Sequence, residues 1–116
     1  MVPHADVREL AAAMQRSDDV VILDVREPFE FASGHVPGAV HLPMHLVPLR
    51  LDDIPRDRSV HVICATGNRS WQVAHYLGQH GLAAINVNGG TGAWRAAGLT
   101  METTPREVGA GMGAAR

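Results

Sequence analysis

The chain has 116 residues, 46% hydrophobic and 19% charged, with seven histidines and a formal net charge of −2. That length and composition fit one domain with a real core and do not fit a disordered chain. The near-neutral balance offers no broad basic surface for nucleic acid. The apolar runs fall far short of the roughly 20 residues of a membrane span, and the single cysteine excludes an internal disulfide.

The stretch ADVRELAAAMQRS, 5–17, predicts a first helix. Asp6 caps it, Glu9 completes a capping box, and Val7, Leu10, Ala11 and Met14 share one face. VVILDV, 20–25, is a β-branched run of the kind buried on both faces of a parallel sheet. EPFEFASG reads as a short helix with Pro28 in its first turn and Gly34 at its end, followed by the short strand AVHL, 39–42. Pro48 and Pro55 limit residues 44–58 to short helical pieces. VHVIC, 60–64, is a strand, RSWQVAHYLGQHG a helix stopped by Gly81, and AAINV, 83–87, another strand. NGGTGAW then turns into a last helix over 91–97. The domain is expected to end near residue 105, with the glycine- and alanine-rich 106–116 as a frayed, flexible tail. Strands alternating with helices argue an α/β fold with a mainly parallel sheet, whose ligands sit beyond the carboxyl ends of its strands.

Cys64 stands at such an end. The loop CATGNR that follows must turn sharply before its helix, and Gly67 permits the backbone angles this needs. A loop of this kind aims successive amide N–H groups inward as an anion cradle. The helix N-terminus and Arg69 add positive charge. These features favour a thiolate, which is the nucleophilic form of cysteine. The competing reading is a packed cysteine, since free cysteine is among the most buried residue types.

Four segments resemble the rhodanese family of single-domain sulfurtransferases: DVREPFEFASGHVPGAVHLP (24–43), CATGNRS (64–70), the helix VAHYLGQHGL, and NGGTGAWRAAGL (88–99). The order of all four is also that of the family; Asn88 stands where many relatives carry an acid. The resemblance implies a three-layer, five-stranded, mainly parallel sheet flanked by helices. It also implies a ping-pong reaction without a cofactor. Cys64 would take the outer sulfur of a donor such as thiosulfate as a persulfide and pass it to a thiophilic acceptor, which is cyanide in vitro, a thiol, or a protein. The amides of Ala65, Thr66, Gly67, Asn68 and Arg69 would cradle the persulfide, with Arg69 on the donor oxygens. Asp24, Arg26 and Ser70 would support the site from behind; the alternative for Asp24 and Arg26 is a surface ion pair. His35 reads as a hydrogen-bonded turn residue, because an ionised thiol needs no general base. Glu30 receives no firm role.

No metal pattern appears: His41 and His45 are separated by Pro43, and no H-E-x-x-H occurs. NGGTG lacks the lysine of a phosphate-binding loop. Trp94 is expected in the core, and Trp71 in the core or at the pocket rim. No secretory leader is evident, and a lone cysteine fits a reducing, cytoplasmic setting with neither membrane nor nucleic acid as partner.

Two rival functions share the fold. Phosphatases and arsenate-reducing enzymes resemble this loop but usually place five residues between cysteine and arginine. Here there are four, giving a cradle sized for sulfur rather than a tetrahedral phosphate. A non-catalytic binding or sulfur-carrier module is the other rival, disfavoured because both Cys64 and Arg69 are kept. The neutral Ala65, Thr66 and Asn68 bring no second positive charge, which predicts weak binding of the thiosulfate dianion.

Overall fold

In the computed structural model, which describes residues 1–105, Asp6 and Glu9 make the capping box the sequence predicts. The Glu9 amide donates to Asp6 Oδ1 and the Asp6 amide to Glu9 Oε1, each at 2.8 Å. Helix α1 then runs Val7–Arg16, with Val7 and Leu10 buried. The chain continues as β2 (Val21–Asp24), α2 (Pro28–Ala32), β3 (Val40–His41), a 3-10 segment (Met44–Asp53), β4 (Val60–Ile63), α3 (Asn68–Gln79), β5 (Ala84–Val87) and α4 (Gly90–Ala96). The 3-10 segment contains Pro48 and kinks at Arg50, so residues 44–53 form short turns rather than one α-helix. The tail expected over 106–116 lies outside the described residues.

A further strand, β1 (His4–Ala5), precedes α1 and corrects the reading of Ala5 as helical. It is two residues long and carries no alternation to betray it. Pairing creates it: the Asn86 amide donates to the Pro3 carbonyl and the Asn88 amide to the Ala5 carbonyl, both at 2.8 Å.

All five strands are parallel, in the order β1-β5-β4-β2-β3. The buried faces follow the strand period of two. Leu23, Val60, Val62 and Cys64 pack with Val73 and Leu77 of α3, together with Val47 of the 3-10 segment. Ile22, Ile63 and Val87 pack on the opposite face with Leu10 of α1, Phe31 of α2 and Trp94 of α4. The result is helix, sheet, helix in three layers.

The strand order also locates a crevice. From β2 the chain passes through α2 to β3 on one side, and from β4 it passes through α3 to β5 on the other. β2 and β4 are neighbours, so their crossovers diverge, and the gap beyond their carboxyl ends is where open α/β sheets hold ligands. Asp24 ends β2 and Cys64 follows β4. Among the described residues no helix is long and apolar enough to cross a membrane.

Candidate active site

The loop after β4 gets its shape from two directions. Its carbonyls are drawn outward: Cys64 O accepts from the Thr91 amide at 2.9 Å and Ala65 O from the Gly92 amide at 3.0 Å. These are amides of the first turn of α4, which lack intrahelical partners and seek an acceptor. With its carbonyls held there, the loop turns its own N–H groups toward the sulfur. Gly67, at φ +110°, makes the reversal and caps α3.

Cys64 Sγ accepts from the Gly67 amide at 3.1 Å and from the Ser70 amide at 3.4 Å. Ser70 Oγ lies 3.3 Å away. Burial pushes the thiol up. The Ser70 hydroxyl and the amides of Ser70, Gly67 and Thr66 pull it down, and the balance falls below the ordinary thiol value. Cys64 is 1% exposed, so it is at once packed and placed to ionise. Ser70, expected behind the site, bonds the sulfur directly. Ala65 is half-buried, Gly67 is buried, and Thr66 and Asn68 are exposed.

Ser70 leads to a residue the sequence reading passed over. Its hydroxyl donates to Asn86 Oδ1 at 2.5 Å, and Asn86 is buried on β5. A serine hydroxyl carries one proton. With Cys64 as thiol, S–H donates to Ser70 Oγ and Ser70 donates to Asn86. With Cys64 as thiolate, the hydroxyl turns to the sulfur and gives up its bond to Asn86 Oδ1. A polar residue inside the apolar run AAINV was the available signal, because a buried amide needs partners.

Arg69 is on the first turn of α3 and Glu30 on α2, so they come from opposite faces of the sheet and meet across the crevice. Arg69 Nη1 donates to Glu30 Oε1 at 2.8 Å and Nη2 to Oε2 at 3.0 Å, a bidentate pair. The Arg69 hydrogen bonds hold the Glu30 carboxyl down at about 2 against its burial, with the Glu27 amide and the charges of Arg69 and Arg26 assisting. Glu30 in turn makes Arg69 a firmer cation, and Cys64 adds a smaller push in the same direction. Nothing local announced this contact: Glu30 also closes its own helix, accepting the Glu27 amide at 2.9 Å.

Asp24 and Arg26 are buried, which displaces the surface reading of the pair. Arg26 Nε and Nη2 hold the Asp24 carboxylate at 2.8 to 3.1 Å, and Nη2 also donates to Gly34 O at 2.9 Å. They reach the site through α2, since Gly34 lies just past the helix that carries Glu30. His35 is fully buried and stacked on Phe31 with ring centroids 3.6 Å apart, its Nδ1 2.9 Å from the Phe31 carbonyl. Trp94 is buried and donates through Nε1 to Thr100 O at 2.8 Å. Trp71 is 42% exposed and stacks on His75, which places it outside the core. Among the described residues no cluster of three or more His, Cys, Asp or Glu could hold a metal ion.

The Rhodanese-like domain family matches residues 6–97. A protein named sulfurtransferase from Allochromatium vinosum is 42% identical over 100 residues, spanning 85% of this chain and 94% of its own. The thiosulfate sulfurtransferase GlpE of Pseudomonas putida is 36% identical over 89 residues, covering 76% of this chain and 81% of its own. Among solved structures, a rhodanese-related protein from Thermoplasma volcanium superposes with a TM-score of 0.82 at 29% identity, over 88% of this chain and 99% of that one.

Proposed function

This chain belongs to the rhodanese-like domain family and is a sulfurtransferase; we propose that it works through a persulfide on Cys64 in a two-step, ping-pong cycle. The observation that carries this reading is the polar ring around one sulfur: the Gly67 and Ser70 amides donate to Sγ and the Ser70 hydroxyl lies beside it, with the Arg69–Glu30 pair across the same crevice.

The Cys64 thiolate attacks the outer sulfur of a donor such as thiosulfate. The donor S–S bond breaks, sulfite leaves with its electron pair, and a Cys64–S–S⁻ persulfide remains. The negative charge moves outward by one sulfur, into the concave side of the loop. In this reading the amides of Ala65, Thr66, Gly67, Asn68 and Arg69 would line that space; the Gly67 amide already donates to Cys64 Sγ, which supports it. Preorganised N–H groups stabilise such a charge without reorganising during the reaction. A thiophilic acceptor then takes the outer sulfur and restores the thiolate. Cyanide would give thiocyanate, and a low-molecular-weight thiol or a protein thiol would become a persulfide. Asp24 and Arg26 act at one remove, by fixing the turn after α2 and so the carboxylate that holds Arg69.

Intact-mass measurement tests the cycle. The reduced protein is expected to gain the mass of one sulfur atom from a sulfane donor and to lose it on adding cyanide, with thiocyanate formed. No gain from thiosulfate or an organic persulfide would overturn the reading. Arg69→Ala is expected to lower kcat/KM for thiosulfate by about ten- to a hundredfold, because it leaves the Glu30 carboxylate unpaired beside an incoming dianion. An unchanged value would remove Arg69 from the reacting site.

A further inference from the structure

Arg69 reaches the crevice already partnered. Its two terminal nitrogens are held by Glu30 at 2.8 and 3.0 Å, and the Glu30 side chain is only 20% exposed. The next cation acting on Glu30 is Arg26, which is itself buried against Asp24 at 2.8 Å. Two cations thus face two carboxylates, and these four side chains add no net charge to the crevice. What remains to hold an anion is the set of amide and hydroxyl donors around Cys64. Those donors suit a single charge on a sulfur atom. A dianion such as thiosulfate brings three oxygens that must settle beside the Glu30 carboxylate, and like charges at contact distance repel strongly where water is partly excluded.

We propose that Glu30 is a specificity-determining residue, which neutralises Arg69 and so turns the site away from dianionic donors toward organic persulfides. The inference rests on the sulfurtransferase cycle proposed above. With an organic persulfide R–S–SH, the Cys64 thiolate attacks the terminal sulfur. The S–S bond of the donor breaks, R–S⁻ leaves with the electron pair, and Cys64–S–SH forms. The departing thiolate or solvent takes the proton, and no outside oxidant or reductant is needed. The reacting sulfur carries no oxyanion group and none is released, so the Arg69–Glu30 pair can stay closed. Because the Glu30 carboxyl lies down at about 2, its charge is present at every pH suited to an assay.

The test measures loading alone, by rapid quenching and intact mass, so that cyanide cannot react with the donor directly. Sodium thiosulfate and cysteine persulfide are the probes, on wild type and on Glu30→Gln. Glutamine keeps an oxygen for the Glu27 amide and for one Arg69 bond, so the helix cap survives. The wild type is expected to load faster from cysteine persulfide than from thiosulfate. In E30Q the second-order rate for thiosulfate is expected to rise about tenfold, the effect of freeing one charged hydrogen-bonding partner. The preference ratio narrows accordingly. A thiosulfate rate that stays level or falls in E30Q would overturn the proposal and leave Glu30 as a brace for Arg69. A second measurement needs no variant: thiosulfate loading of the wild type should not fall as salt rises, because the pair presents no net charge to screen. A steep fall would show Arg69 acting as a free cation, against the proposal. Loading from neither donor would defeat the cycle itself, and this inference with it, which separates the two failures.

Discussion

Cys64→Ser is expected to reduce sulfur transfer to background while leaving the melting temperature near that of the wild type. Serine is close in size and can keep the bond to Ser70 Oγ, which lies 3.3 Å from the sulfur. The surrounding core, Val62, Val73 and Ala74 among it, meets almost the same shape. The chemistry has no such tolerance. An alcohol does not ionise under the donors that lower the thiol, and an oxygen–sulfur adduct is not a persulfide that an acceptor can relieve. The wild-type thiol should alkylate with iodoacetamide at a rate that stays high below the ordinary thiol pKa, because the Ser70, Gly67 and Thr66 donors outweigh burial. Persulfide mass or thiocyanate turnover surviving in C64S would remove Cys64 from the reaction.

Gly90→Ala is expected to be the most damaging substitution outside the loop itself. Gly90 opens α4 at φ +57°, and a Cβ there would sit 2.2 Å from Cys64 O and 2.6 Å from Ala65 O. Both are backbone atoms fixed by the Thr91 and Gly92 amides, so neither can retreat without breaking the contact that shapes the loop. Overpacking and left-handed strain together cost about 2–5 kcal/mol, out of a typical total of about 5–15 kcal/mol. A fall in Tm of at least about 10 °C is expected, along with slower persulfide loading. Gly98→Ala is the control: its φ is +75°, but nothing lies within 4 Å of the added carbon. It should lose only the strain and keep its activity. If G90A and G98A melt together, the close approach of α4 to the loop is not what holds the sulfur in place.

The order of strands and helices was readable because each element is signalled locally. The Asp6 capping box, the run VVILDV, Gly67 and the Gly81 stop need only their neighbours in sequence. Four of five strands followed from such signals; β1 did not, since two residues become a strand only through β5 beside them. The cysteine loop was legible for the same local reason. Its supports were not. Asn86 was passed over inside the strand AAINV, because its partner Ser70 lies 16 residues away in sequence. Glu30 satisfied a cap within its own helix, which hid a second duty to Arg69 across 39 residues. Asp24 and Arg26 read equally well as a surface pair until their burial was known. Contacts made between crossovers on opposite faces of a sheet leave no periodicity behind, and a single sequence shows only what is periodic or adjacent.

The two outer strands, β1 and β3, are each two residues long. A parallel sheet normally pays for its regularity with exposed edges, where rows of unsatisfied amides and carbonyls recruit strands from other molecules. Here each border is too brief to template such an addition, and the β1 border is followed at once by the capped start of α1. The long, sticky strands β2, β4 and β5 lie inside, each flanked on both sides. A sulfurtransferase has to leave its crevice open to a donor and an acceptor, and margins this short leave it open without offering a long strand edge for another chain to pair with.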